Sequence, residues 1–173
     1  LAVKVELAAG AGGEVNNLGR LAAPGGKIDV FAGIVNQQGL VQADTLGTDA
    51  FGRVTLQAAQ SLTLAAVSST QAAGGTLRLD AGAQGLAVVN GTASTASAHG
   101  AGGDLLLQGQ RILVGGTAVL DASGATGGGL LRVGGDFQGK NAAVRNADTV
   151  VVEARSTPLT SSTLFFLTKS SAR

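Results

Sequence analysis

The sequence predicts an all-β protein, a single chain wound into a parallel β-helix. Three observations lead there. Short stretches alternate aliphatic and polar residues, as in Lys27-Ile28-Asp29-Val30, Arg53-Val54-Thr55-Leu56 and Thr76-Leu77-Arg78-Leu79. That period of two marks a strand with one buried face. The strongest strands each open on a glycine, at Gly26, Gly52, Gly75, Gly103 and Gly129, so successive separations are 26, 23, 28 and 26 residues. A repeat of that length is the signature of a solenoid coil. Finally, no capped segment shows a period of 3.6, and 28 glycines leave little room for a helix.

The elements follow in order. Strands are predicted at 3–7, 25–33, 52–58, 61–66, 74–82, 85–91, 102–109, 111–116, 117–124, 128–135 and 149–154. Each coil holds two or three of them. One coil cannot bury its apolar face alone; a second coil stacked on it pairs the backbones at about 4.8 Å and extends the core. Corners are expected at "QAD" (42–44), "VNG" (89–91) and "DASG" (121–124), where Gly, Asn and Asp tolerate tight backbone. At about 26 residues per coil the chain makes roughly six or seven coils. The inward residues are expected to be Ile28, Val30, Val54, Leu56, Leu77, Leu79, Leu105, Leu107, Leu131 and Val133, stacked as ladders. In "DLLLQ" the alternative register turns Leu106 inward. An antiparallel sandwich is the competing fold; it would carry more Tyr and Trp and more Asn-Gly hairpins.

Composition narrows the function. Twelve basic residues stand against 11 acidic ones, with no basic stripe, so nucleic acid is not an expected partner. No apolar run approaches the length of a membrane span, and no membrane insertion is expected. The absence of Cys removes disulfides and thiolate chemistry. There is no Met, even at position 1, so the chain reads as a piece of a longer protein.

The segment "GGTAVLDASGATGGGLLRVGGDFQGKNAAVRNADTVVVEA" (115–154) resembles a recurring stretch of filamentous-haemagglutinin-like exoproteins of two-partner secretion systems. "GGKIDVFAGIVNQQGLVQA" (25–43) is similar to other coils of the same proteins. The resemblance implies a right-handed β-helix, secreted by a Gram-negative bacterium through an outer-membrane transporter. It also implies adhesin, haemolysin or contact-dependent toxin-stalk roles, with a cell-surface receptor or glycan as partner. The family's Asn-Pro-Asn secretion motifs are missing, since Pro24 and Pro158 lack that context.

The sequence divides into a β-helix at 1–155 and an irregular tail or cap at 156–173. Within the helix, 135–148 breaks the alternation and is expected to project as a binding loop bearing Asp136, Phe137, Lys140 and Arg145. In the tail, Leu164, Phe165, Phe166 and Leu167 form an apolar cluster, followed by Lys169 and Arg173, that is expected to cap the last coil. Lys4 and Glu6 offer edge charges at the other end.

Catalytic signals are sparse. "GGDFQGKN" ends Gly139-Lys140-Asn141 but opens no helix, so neither a Walker loop nor a dinucleotide fingerprint is expected. Asp121 and Asp136 are too isolated for calcium. His99 is the only His and sits in a small-residue loop without triad or metal spacing. Asn90-Gly91-Thr92 matches a glycosylation acceptor, but a corner explains it as well. No catalytic residue, metal or cofactor is expected. The main expectation is a non-enzymatic structural and adhesive segment. The alternative is a carbohydrate-active β-helix enzyme, which needs two or three of Arg53, Arg78, Asp80, Asp104 and Asp121 in one groove.

Overall fold

The computed structural model describes residues 4–44, 52–154 and 164–166. Every strand pair is parallel, and the chain forms a β-solenoid. An antiparallel sandwich is thereby excluded. The first turn holds β1 (Lys4–Ala8), β2 (Glu14–Asn17) and β3 (Arg20–Ala22). In the second, β4 (Lys27–Gln37) runs along two faces before β5 (Leu40–Gln42). The third repeats this with β6 (Arg53–Leu64) and β7 (Ser69–Gln71). The fourth has β8 (Thr76–Asp80), β9 (Leu86–Val89) and β10 (Thr92–Ser94); the fifth has β11 (Asp104–Gln108), β12 (Arg111–Val114) and β13 (Val119–Asp121). A sixth begins with β14 (Leu130–Val133) and continues after a 3-10 turn (Phe137–Gly139) into β15 (Thr149–Val152).

The third face, β3-β5-β7-β10-β13, has five strands, so the described residues make five complete turns rather than six or seven. The larger number came from dividing the whole chain by one repeat length. The sixth turn instead spends residues on the stretch 134–148, and most of the tail lies outside the described residues. Of the tail, β16 (Leu164–Phe166) pairs in parallel with β14, placing Leu164 opposite Leu131 and Phe166 opposite Val133. The other residues of the expected cap, Leu167, Lys169 and Arg173, lie outside the described residues.

The inward ladders match the alternation. Ile28, Val54, Leu77, Leu105 and Leu131 are register partners, as are Val30, Leu56, Leu79, Leu107 and Val133. All ten are at most 2% exposed. Leu106 points outward in the register of Arg78 and Arg132, so the glycine-phased reading of "DLLLQ" is the right one. Each side chain sits one strand spacing from an aliphatic counterpart, so a single core runs the length of the solenoid. Interior polar groups are fewer; Gln37, Ser68, Thr95 and Gln108 sit at or beyond strand ends, while Thr70 lies within β7. Gln37 is 1% exposed; its amide donates to the carbonyl of Gly39 at 2.9 Å and accepts from Asn17 at 2.7 Å.

The repeat glycines have a steric cause. A Cβ on Gly75, Gly103 or Gly129 would stand 2.0 Å from the carbonyl oxygen of the glycine one turn earlier. Those carbonyls accept from the residue after the stacked glycine, for example Asp104 N to Gly75 O at 2.9 Å. Only glycine lets the turns approach so closely there.

Candidate functional site

Seen from outside, the first face presents three outward positions per strand. The third of these runs through Phe31, Gln57, Asp80 and Gln108. Beside this ladder the chain bends from the first face to the second over small residues. In β4 and β6 the bend includes a bulge, where Ala32 faces Ala58 but Ile34 faces Ser61. Small residues at the bend leave a groove of about 450 Å³, lined by Phe31, Gln57, Ala58, Asp80, Gly82 and Arg145 among others. Gly82 has φ +84°, and a Cβ there would meet the carbonyl oxygens of Ala59 and Ala58 at 2.7 and 2.9 Å.

From the stretch 134–148, Arg145 joins the groove's lining. Asp80 is 3% exposed and forms ion pairs with Arg78 at 3.0 Å and with Arg145. Its Oδ1 also accepts from Gly82 N at 2.9 Å. Burial alone would raise its pKa, but the Gly82 amide and the two guanidinium groups outweigh that and hold the carboxyl below its usual range. Arg145 Nε is covered and has no partner among the described residues.

The remaining members of the expected loop are arranged differently. Val144 and Ala147 are buried at 7% and 0%, and Gln110 holds Asp148 at 2.9 Å. The C-terminal half of the stretch therefore lies against the coil, and only the part around Phe137 stands out. Phe137 is 60% exposed and Lys140 is exposed. Asp136 braces that tip: its carboxylate accepts from Asn141 and from the Phe137 amide, both at 2.7 Å, and pairs with Arg132 at 3.4 Å. These contacts, the Asn141 amide first, hold its pKa low. Gln138 adopts φ 55°, a left-handed conformation that non-glycine residues rarely take outside functional or strained sites.

The five residues of the enzyme alternative do not share one groove. Asp104 stands at the register of Thr76, four residues before Asp80, which is about 13 Å along the strand. Arg132 pairs with it at 2.6 Å. Asp80 does not stack on Asp104, nor Arg53 on Arg78, because each pair occupies different positions within its strand: Arg53 faces Lys27 and Thr76, and Arg78 faces Thr55 and Leu106. Asp121 is on the third face, where it accepts from Ser123 N at 2.8 Å. His99 is exposed, and no group of three metal-binding side chains occurs among the described residues. Phe31 and Gln57 did not emerge from the sequence as site residues. Aligning the strands on their opening glycines would have placed both at the fifth position, alongside Asp80 and Gln108.

Comparisons with family models, curated proteins and solved structures give no match for this chain. The fold and the geometry therefore define the class: a parallel β-solenoid with, among the described residues, one side-chain-anchored insertion.

Proposed function

We propose that this chain is a non-enzymatic structural and adhesive segment of a secreted bacterial surface exoprotein. In this reading it belongs to a filamentous-haemagglutinin-like parent, exported by an outer-membrane partner, and attaches to a receptor on a host or bacterial cell. The observation that carries the reading is the contrast between an uninterrupted rod and one braced tip. Five stacked turns give a rod about 24 Å long, and the tip at Phe137 is fixed by the Asp136 contacts. An exposed aromatic on a braced loop loses little entropy on binding, which suits it as an anchor for a protein surface.

The test is attachment of the purified chain to cells that bind the parent protein. Phe137→Ala is expected to lower attachment by about tenfold, a loss of about 1.4 kcal/mol. Melting should change little, because Phe137 is 60% exposed and lies outside the buried core cluster. Deleting the solenoid from the parent should also shorten its reach. Equal attachment by the parent, the Phe137→Ala chain and the deleted form would sink the adhesive reading.

A further inference from the structure

We infer that the groove beside Phe31, Gln57, Asp80 and Arg145 is a binding subsite for a carboxylate-bearing saccharide. This rests on the adhesive reading for its biological sense, but the chemistry is local. The floor is made of Ala58, Gly82 and similar small residues, so a ligand meets backbone-level surface rather than long side chains. The strands under the floor, β4, β6 and β8, are internal to their sheet and paired on both sides. They offer no free edge to an extended peptide, which would need one to add as a strand. Recognition must come from side chains along the rim.

Those side chains suit a sugar ring. Phe31 is half-buried and offers an aromatic surface to the C–H face of a pyranose. Gln57, exposed between Phe31 and Asp80, offers both a donor and an acceptor to hydroxyl groups. Phe31 and Asp80 are two strand spacings apart, about 9.6 Å, so aromatic and charged ends serve one ligand.

Charge selects an acidic sugar. Arg78 and Arg145 surround the single carboxylate of Asp80, which stays ionised, so one positive charge is left over. Arg145 engages Asp80 through Nη2, and its side chain remains 35% exposed. A ligand carboxylate on the open side of that guanidinium would take up donors that Asp80 leaves unused.

The test uses the whole chain and a short oligogalacturonide, with the neutral galactose oligomer of the same linkage as control, both titrated by calorimetry. Binding of the acidic oligomer is expected, weakening as salt rises. Phe31→Ala and Arg145→Gln should each weaken it by about tenfold. Because Arg145→Gln also loosens the insertion, Gln57→Ala serves as the variant that leaves the ion pairs intact; it should weaken binding by a smaller factor without changing the melting temperature. No binding by the parent chain, equal binding of the neutral oligomer, or binding that survives both Phe31→Ala and Gln57→Ala would each overturn the assignment. Cell attachment measured on the same variants separates the two readings. Loss of oligogalacturonide binding in Phe31→Ala with attachment still dependent on Phe137 supports the groove as a distinct subsite. Oligogalacturonide binding with no cell attachment by any form would leave the subsite standing and remove the adhesive role.

Discussion

Turns three to five and the sixth turn are held in different ways. In the regular turns every strand of the first face lies between two neighbours, and each inward residue has a partner above and below. Stabilisation is spread over many equivalent contacts. The sixth turn opens the same way with β14 but then leaves the pattern. Its stretch 134–148 is pinned by a handful of individual groups: Ala147 and Val144 in the core wall, Arg145 on Asp80, and Asp148 on Gln110. The repeated part resists loss of any surface contact and fails when a ladder is broken. The insertion depends on a few named side chains, among them Asp136, which ties its tip to Arg132 of β14.

The largest expected effect comes from breaking a ladder. Leu105→Asp places a carboxylate with no partner between Leu77 and Leu131. A cost of about 4 kcal/mol or more is expected, enough to unfold the neighbouring turns, and urea denaturation with circular dichroism would read it. A variant that melts like the parent would mean that Leu105 does not face inward.

Gly103→Ala attacks the same turns through the backbone. The new Cβ would stand 2.0 Å from Gly75 O, so two strands must separate. A loss of about 2–3 kcal/mol is expected, against about zero for an alanine at exposed Gly127, where nothing lies within 4 Å. The difference in denaturation midpoint between the two variants is the measurement.

The insertion is probed by Asp80→Asn. It removes the carboxylate that two partly exposed guanidiniums share, and a loss of about 2 kcal/mol is expected. Proteolysis should cut first within 134–148, while the turns stay protected. The same carboxylate predicts a pH dependence. Its pKa is held below the ordinary 3.8, so the folded state binds this proton less readily than the unfolded chain. The contribution is complete above the ordinary value and fades as pH falls through the lower folded one. Asp80→Asn should flatten that acid limb; an unchanged limb would assign it to other carboxyls, Asp136 among them.

The smallest effect is a gain. Thr70 is 0% exposed, lies between Val41 and Ala93, and its hydroxyl has no partner among the described residues. Thr70→Val keeps the shape and removes the unsatisfied group, so stability should rise by about 1 kcal/mol in the same denaturation assay.

Much of this was legible beforehand, for a local reason. Alternation of aliphatic and polar residues sets which face of each strand is inward, and glycine spacing sets where each turn restarts. Both are short-range properties of the chain, so Ile28, Val54, Leu77, Leu105 and Leu131 were read as inward ladder residues from the sequence, along with the strands that carry them. What the tertiary structure alone decided was the partnership between distant residues at the surface. Asp80 and Arg145 are 65 positions apart, and neither carries a period that announces the other. Whether 134–148 projects or folds back depended on Val144 and Ala147 finding cover against the coil, which is a property of the surface already built. The groove likewise exists only because small residues from different turns meet at one bend, beside a ring, an amide and an ion pair that stacking brought into line.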